Sequence, residues 1–202
     1  MDVGARYDRI AERYDRASRV PNLLGFRDRH YHRVAVDLLA PEPGSTVLVL
    51  GCGTGIDFAR LMEHIGPDGR IIGIDLSEAM LEQAQAKADA EGWPVTLVHG
   101  DVQTRDWPSC DHVLASFTLK FMPDMERVVG RIRDHLPVGG RLGVADFRVP
   151  AGLRWAAALV LRPFGHDRTT LSRHPARAIR RAFATVRMKR FWFGGAYALV
   201  AE

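Results

Sequence analysis

A short apolar run that breaks into alternating glycines constrains this 202-residue chain more than any other feature. The run Val47-Leu-Val-Leu-Gly-Cys-Gly-Thr-Gly55 predicts a strand buried on both faces and then a tight turn. Glycine lets the backbone approach a ligand closely, because no side chain stands in the way. Apolar residues at helical spacing follow over 56–65. This order predicts a site where a helix N-terminus and free backbone N–H groups face a ligand.

The glycine pattern alone also fits a structural turn, because its spacing differs from that of dinucleotide folds and no P-loop Lys-Ser/Thr pair follows. The next strand favours a ligand site. Residues 70–75 are mostly apolar and end in Asp75, about 20 residues beyond the last glycine, where a carboxylate can accept hydrogen bonds from a ribose diol. The alternative role of helix cap suits Ser77 better, since a helix over 78–91 follows it and ends at Gly92.

The remaining chain alternates strands with helices, which predicts a parallel sheet with right-handed crossovers. Two helices precede the first strand, an amphipathic one around 7–14 and another over about 26–39. Near the C-terminal end, strands over 187–193 and 196–201 meet at Gly194-Gly195, a hairpin signal, so the last strand should run antiparallel. The earlier strands are predicted at 46–50, 71–75, 95–99, 112–116 and 141–146.

Five ordered pieces of this pattern are similar to the class I S-adenosylmethionine-dependent methyltransferases: Val47–Gly55, Ile71–Ser77, Gly100-Asp101, Val113–Asp124 and Leu136–Val144. The resemblance extends over nearly the whole length. It implies one α/β domain with a Rossmann-like, doubly wound, seven-stranded sheet that is mostly parallel, with an antiparallel last strand and an N-terminal helical lid. The implied divisions of residues 1–202 are the lid over 1–40, a cofactor-binding core over 45–147, a basic apolar cover over 148–185 and a C-terminal hairpin over 186–202.

The resemblance also implies S-adenosylmethionine as the cofactor, with Asp75 on its ribose and Gly100-Asp101 at its adenine. The expected cofactor-binding residues are Tyr14, Gly51, Cys52, Gly53, Thr54, Gly55, Asp75, Leu76, Met80, Gly100, Asp101, Val102, Ser116 and Phe117.

One position departs from the family pattern. The family usually carries an acid two residues before the first glycine, where it helps to hold the methionine ammonium, and here that residue is Val49. Backbone carbonyls near Gly51 and Ser116 would then have to accept those protons. The departure leaves open a non-methylating relative that kept only the fold.

Within the superfamily, the chain resembles the ubiquinone/menaquinone C-methyltransferases and the lipid N-methyltransferases, the latter particularly at Val144–Phe147 and Gly195–Val200. A small, lipophilic acceptor is implied. N-methylation of an amino-lipid headgroup is favoured, and C-methylation of a prenylated quinone or O-methylation of a natural product are the alternatives.

Three residues are the candidates for catalysis. Tyr14 would close over the cofactor, Asp146 could orient a cationic headgroup or take a proton, and Tyr197 could reach the rim of the site. Core packing is the alternative role for Tyr14, and a structural turn contact is the alternative for Asp146. Further residues near the acceptor are His30, Tyr31 and His32, which could line its pocket or lie at the surface, and Lys120, which follows the fourth strand and could simply lie in solvent.

Positive charge is concentrated late in the chain. From Arg148 to Arg190 there are eleven Lys and Arg residues against one acid, Asp167. Large apolar residues such as Trp155 and Phe164 lie between them, which suits an anionic membrane surface. An ordinary basic surface is the alternative, and nucleic acid is a less favoured partner because no known binding motif accompanies the charge.

Composition and residue spacing give expectations about the location of the protein, its cysteines and metal binding. The sequence starts without an apolar leader and has no window of 18 uncharged apolar residues, which predicts a cytoplasmic protein and allows peripheral membrane association. The two cysteines, Cys52 and Cys110, are expected to be reduced. No metal site is expected, because the histidines and cysteines lack ligand spacing. Nothing in the pattern indicates an oligomeric state.

Overall fold

Seven strands form a single sheet in the computed structural model, which describes residues 28–162 and 166–202 of the chain. The strands are β1 (Thr46–Leu50), β2 (Arg70–Asp75), β3 (Val95–His99), β4 (His112–Ser116), β5 (Arg141–Phe147), β6 (Val186–Phe191) and β7 (Ala196–Ala201). Their spatial order is β3-β2-β1-β4-β5-β7-β6.

The strand directions confirm the predicted doubly wound α/β fold. Neighbours from β3 through β5 pair in parallel, whereas β7 runs antiparallel to both β5 and β6. The apolar runs of β1 and β4 lie at the centre of the sheet, where helices bury them on both faces. Successive strands are added to one side of β1 as far as β3 and to its other side from β4 onward, so the strand order reverses between β1 and β4. Open α/β sheets bind ligands at such a switch point.

Helices cover both faces of the sheet. In the described part of the chain they are α1 (Asp28–Leu39), α2 (Phe58–Ile65), α3 (Glu78–Glu91), α4 (Met125–His135), α5 (Arg154–Leu161), α6 (Arg168–Ser172) and α7 (Pro175–Ala182). Helices α1, α2 and α3 bury their apolar faces in one core cluster, and α4 and α7 bury theirs in another on the opposite face. Neither described segment contains a helix with the length and apolar character needed to cross a membrane.

Local sequence signals explain where several helices and strands begin or end. Ser77 caps α3, since its hydroxyl accepts from the Met80 N–H at 3.2 Å, and Gly92 ends that helix with φ 65°. The predicted strand over 187–193 ends earlier, at Phe191, because Phe193 takes a left-handed backbone with φ 53° in the short turn Trp192–Gly194. The predicted helix around 7–14 lies outside the described residues.

A buried ion pair joins the loop after β4 to the end of β5. The Lys120 Nζ lies 2.5 Å from Asp146 Oδ1, donates to the Phe147 carbonyl at 2.7 Å and lies 3.4 Å from the centre of the Phe147 ring. Both charged residues are 1% exposed. Burial lowers the pKa of Lys120 and raises that of Asp146, and each charge opposes the shift of the other. The interpretation of Lys120 as a residue in solvent was wrong.

His166 packs against this ion pair. Its ring lies 4.7 Å from the Phe121 ring and 5.0 Å from the Phe147 ring, measured between centroids. Burial, reinforced by the charge of Lys120, lowers the pKa of His166 from its ordinary value of 6.5 to about 3. The folded chain therefore holds a neutral imidazole at this position over most of the acidic range.

The buried histidine predicts an acid sensitivity. Between pH 6.5 and about 3, the unfolded chain binds a proton at His166 that the folded chain does not, so the free energy of unfolding falls as the pH falls. Urea unfolding at several pH values should show that the wild type takes up about one more proton on unfolding in this window than H166Q does. Parallel pH curves for the two proteins would contradict a buried neutral imidazole.

Candidate active site

A cavity of about 330 Å³ opens at the carboxyl ends of β1, β2 and β4, at the switch point of the sheet. Its lining comes from the loops that follow these strands, from the loop after β3, and from one side chain of α1. The lining residues are His32, Gly51, Cys52, Gly53, Thr54, Ile56, Asp57, Asp75, Leu76, Ser77, Met80, Asp101, Val102, Gln103, Ser116, Phe117, Thr118, Phe121, Met122 and Pro123.

The glycine loop forms one wall of the cavity and needs its glycines for two different reasons. Gly51 has φ +65°, and a Cβ there would lie 2.2 Å from the Thr118 hydroxyl, so the two loops can meet only without a side chain. Gly53 has φ +53°, but a Cβ there would meet nothing within 4 Å. Because Gly53 lines the cavity, its missing side chain leaves space for a ligand beside the backbone.

Asp75 at the end of β2 ties this loop to the next βα unit. Its carboxylate accepts the Gly53 N–H at 2.8 Å through Oδ2 and the Ser77 N–H at 3.0 Å through Oδ1. A carboxylate has about four lone-pair sites, so one such group can accept from several donors at once. Asp101, after β3, lies at the same cavity and accepts the Gln103 N–H at 2.8 Å.

Cys52 is a packing residue as well as a lining residue. Its sulfur occupies space that Gly73 leaves open, since a Cβ on Gly73 would lie 2.7 Å from that atom. Burial raises the pKa of Cys52 well above its ordinary value, so the side chain stays a thiol. Val49 is 1% exposed and pairs with Gly73 on β2 and with Leu114 on β4, so it belongs to the core.

A histidine and a carboxylate form a hydrogen-bonded pair at the cavity. His32 projects from α1, and its Nδ1 lies 2.8 Å from the Oδ1 of Asp57, the residue that precedes α2. Their side chains are 13% and 7% exposed. Because a carboxylate only accepts, the bond places the proton on Nδ1 and makes Nε2 the acceptor in the neutral ring. The His32 ring lies 5.0 Å from that of Phe117, measured between centroids.

The end of β4 carries backbone strain. Phe117 has φ 56°, which is unusual for a residue other than glycine, and its N–H donates to the Ala145 carbonyl at 2.8 Å. The buried Ser116 hydroxyl next to it finds no hydrogen-bond partner among the described residues. Strained backbone and unmatched polar atoms concentrate at functional sites, and both lie in the lining of this cavity.

Most of the expected cofactor-binding residues line the cavity, but two glycines do not. Gly55 donates its N–H to the Cys52 carbonyl at 3.0 Å and closes the turn, and the Gly100 N–H donates to the Asp75 carbonyl at 2.9 Å. Both shape the loops behind the lining. The expected residues that do line the cavity are Gly51, Cys52, Gly53, Thr54, Asp75, Leu76, Met80, Asp101, Val102, Ser116 and Phe117.

The structure separates the three catalytic candidates from the cavity or leaves them undescribed. Asp146 is sealed in its pair with Lys120, so it cannot orient a cationic headgroup there. Tyr197 is buried opposite Asp146 on β7 and lines a different cleft. Tyr14 lies outside the described residues. Asp57 was missed because its position before α2 is typical of a helix cap, although its side chain makes no capping bond.

These features fit S-adenosylmethionine. The open space beside Gly53, the unmatched Ser116 hydroxyl and the carboxylates of Asp75 and Asp101 provide close backbone approach and hydrogen-bond partners for a nucleoside and an amino-acid group. Across residues 28–162 and 166–202, no group of three or more His, Cys, Asp or Glu side chains could hold a metal ion.

Relatives in sequence agree with this geometry. A family model described as a methyltransferase domain matches residues 47–140. A demethylmenaquinone methyltransferase from Thermus thermophilus is 33% identical over 161 residues, which cover 78% of this chain and 70% of the relative. Nocamycin O-methyltransferase from Saccharothrix syringae is 34% identical over 154 residues, which cover 74% of this chain and 53% of the relative. The chain thus spans about half the length of the second relative.

Solved structures share the fold at low sequence identity. A chain from the complex between the Haloferax volcanii Trm112 methyltransferase activator and a putative methyltransferase gives a TM-score of 0.71 at 20% identity, covering 96% of each chain. A SAM-dependent methyltransferase from Aquifex aeolicus gives 0.60 at 17% identity, covering 89% of this chain and 95% of that one. The glycine loop, the carboxylates at the strand ends and the sequence relatives together show that this chain belongs to the class I S-adenosylmethionine-dependent methyltransferases.

Proposed function

We propose that this methyltransferase methylates a small lipophilic acceptor through an acidic hydroxyl group, either on the oxygen or on the neighbouring carbon of a hydroxylated ring. The observation that carries the proposal is the His32–Asp57 pair at the cavity. An acceptor of this class becomes a strong nucleophile only when its hydroxyl loses a proton, and a histidine held by a carboxylate is a suitable base.

The positions of the residues suggest which of them bind the cofactor and which of them transfers the proton. S-adenosylmethionine supplies an electrophilic methyl group when it is bound. Asp75 and the Gly53 backbone would hold the ribose of the cofactor, and Asp101 would contact its adenine. His32 Nε2 accepts the hydroxyl proton, while Asp57 keeps the proton on Nδ1 and stabilises the imidazolium that forms. Such a base contributes about 10²–10⁴-fold to the rate.

The walls of the cavity support an apolar acceptor. Phe117, Phe121, Met122 and Pro123 are apolar residues of its lining, and the Phe117 ring lies next to that of His32. Two sequence relatives are named for acceptors of this class, a demethylmenaquinone and the natural product nocamycin. The sequence favoured N-methylation of an amino lipid, with Asp146 as the carboxylate that binds the cationic headgroup. Asp146 instead pairs with Lys120, so this support for the amino-lipid acceptor is absent.

A second proposal concerns the surface that delivers the acceptor. Around α5, Leu153, Trp155, Leu159 and Val160 are 60–68% exposed, and arginines flank them. Apolar side chains beside arginines suit the interface of an anionic bilayer. The arginines of this basic segment face more than one cleft, since Arg154 and Arg173 line one while Arg162 and Arg168 line another, and Phe164 lies outside the described residues.

Cofactor binding should depend on Asp75. D75N removes the negative charge and replaces one of the two acceptor oxygens by an NH₂ donor, so the affinity for S-adenosylhomocysteine measured by calorimetry should fall by about 1.5–3 kcal/mol, the scale of a hydrogen bond to a charged group. D68N, at an exposed acid before β2, is the matched control and should bind like the wild type. Equal affinity for all three proteins would place the ribose elsewhere.

The base predicts a pH-dependent rate that only one histidine controls. H32Q should lower kcat on a phenolic or hydroquinone acceptor by about 10²–10⁴-fold at neutral pH and move the rise of the rate to the higher pH at which the acceptor hydroxyl ionises unaided, because no imidazole is left to take the proton. The affinity for S-adenosylhomocysteine should change little. H30Q, two residues away on the same helix and exposed, is the control. An unchanged pH profile in H32Q would refute the base.

The acceptor class can be read directly from products. With isotopically labelled S-adenosylmethionine, mass spectrometry of quinol, phenol and amino-lipid mixtures should show a single methyl on an oxygen or ring carbon. Successive mono-, di- and trimethyl products on nitrogen would instead restore the amino-lipid alternative. Binding of the cofactor without turnover on any of these mixtures would favour a non-methylating relative of the same fold.

Membrane association should depend on the apolar side chains of α5. W155S/L159S removes two exposed apolar groups, so sedimentation with phosphatidylglycerol vesicles should fall, while the affinity for S-adenosylhomocysteine stays unchanged because the cavity lies elsewhere. Wild-type binding should weaken at high salt and be absent with neutral vesicles. Equal sedimentation of the variant and the wild type would remove α5 from the interface.

A further inference from the structure

A second concave site begins at Phe147 and shares no lining residue with the active-site cavity. This arginine cleft has a volume of about 660 Å³ and is bounded by the end of β5, the start of α5, the start of α7 and the hairpin of β6 and β7. Among the described residues that line it, none is an Asp or Glu, and six are arginines: Arg148, Arg154, Arg173, Arg177, Arg180 and Arg190.

These guanidinium groups are not neutralised by the protein. None of the six forms an ion pair with a carboxylate of the described residues, whereas Arg60 pairs with Asp37 and Arg141 with Glu42 elsewhere on the surface. Two of them are held in place by backbone carbonyls, since Arg154 donates to Val149 at 3.3 Å and Arg173 to Lys120 at 2.8 Å. A concentration of like charge in a concave site repels itself and raises the local concentration of anions.

The floor of the cleft supplies an unused hydrogen-bond donor. Tyr197 is 6% exposed, lines the cleft and lies beside the backbone of Ala176 in the first turn of α7. Its hydroxyl proton finds no acceptor among the described residues. A buried O–H without an acceptor costs free energy, which an anionic oxygen in the cleft would recover. The N-terminal turn of α7 at the same place also favours negative charge.

His174, the residue before α7, lies in the positive electrostatic potential of the cleft. Its pKa is lowered, first by burial and then by the charges of Arg154, Arg148, Lys120 and Arg177. The ring is therefore kept neutral, and its Nε2 lies 3.2 Å from a terminal nitrogen of Arg154 and can accept from it. The histidine thus adds no positive charge but helps to fix the orientation of a guanidinium.

We propose that the arginine cleft binds a phosphate-ester or diphosphate group. Planar guanidinium groups bind phosphate oxygens through paired, charge-assisted hydrogen bonds, and several of them around one concavity match a group that carries two or more negative charges. The Tyr197 hydroxyl supplies a neutral donor at the floor. This site is separate from the methyl-transfer cavity, and its assignment does not depend on which acceptor is methylated.

Pyrophosphate is the probe for a soluble ligand. Calorimetry at constant ionic strength should show that R148Q/R177Q/R190Q, which removes three exposed cleft arginines, binds pyrophosphate at least about tenfold more weakly than the wild type. The control R33Q/R70Q/R187Q removes three exposed arginines outside the cleft and should bind like the wild type. Y197F should weaken binding several-fold. S-adenosylhomocysteine binding by every variant verifies that the fold is intact.

Vesicles distinguish a lipid headgroup from a soluble phosphate. If the wild type and the control sediment with phosphatidic acid vesicles while the cleft variant does not, and pyrophosphate binds weakly, the phosphate belongs to a lipid. Pyrophosphate binding without vesicle binding identifies a soluble ester. Equal losses in the cleft variant and the charge-matched control would show diffuse charge and overturn the proposal, as would the absence of binding to both probes by the wild type.

Discussion

The carboxylate of Asp75 is the contact on which the active site depends. It accepts one N–H from the glycine loop after β1 and one from the start of α3, so it joins two consecutive βα units at the cavity. The same carboxylate lines the cavity. Because the side chain that lines the cavity also fixes the glycine loop, the loop is positioned before any ligand arrives, and little reorganisation is left for binding to drive.

The sequence predicted the sheet because its central strands carry their own signal. An apolar run such as Val47–Leu50 can satisfy its environment only where helices cover both faces, and Gly51, Gly53 and Asp75 mark the strand ends where a nucleoside fits. These are local patterns. Most of the lining residues that come from the glycine loop and the strand ends could therefore be predicted, whereas Gly55 and Gly100 shape turns behind the lining.

The acceptor side depends on contacts between residues far apart in the chain. His32 and Asp57 are 25 residues apart, and Lys120 reaches the carbonyl of Phe147 across 27. No spacing rule relates such pairs, so Asp146 was assigned to catalysis when the fold buries it, and Asp57 was passed over when the fold brings it to His32. The arginine cleft was visible as charge in the sequence, but its concavity and the hydroxyl at its floor arise only from the packing of α7 against β7.

The Lys120–Asp146 pair also limits how this chain can diverge. Loss of either partner alone leaves an uncompensated charge in the core, which is strongly destabilising, whereas joint replacement by apolar residues of similar volume is often neutral. We therefore expect the two positions to change together in descendants of this sequence, because selection would remove proteins in which only one of them has changed. Lys120 directly precedes Phe121 of the active-site cavity, and Asp146 directly precedes Phe147 of the arginine cleft, so such a joint exchange is also the simplest evolutionary step by which both sites could be remodelled together.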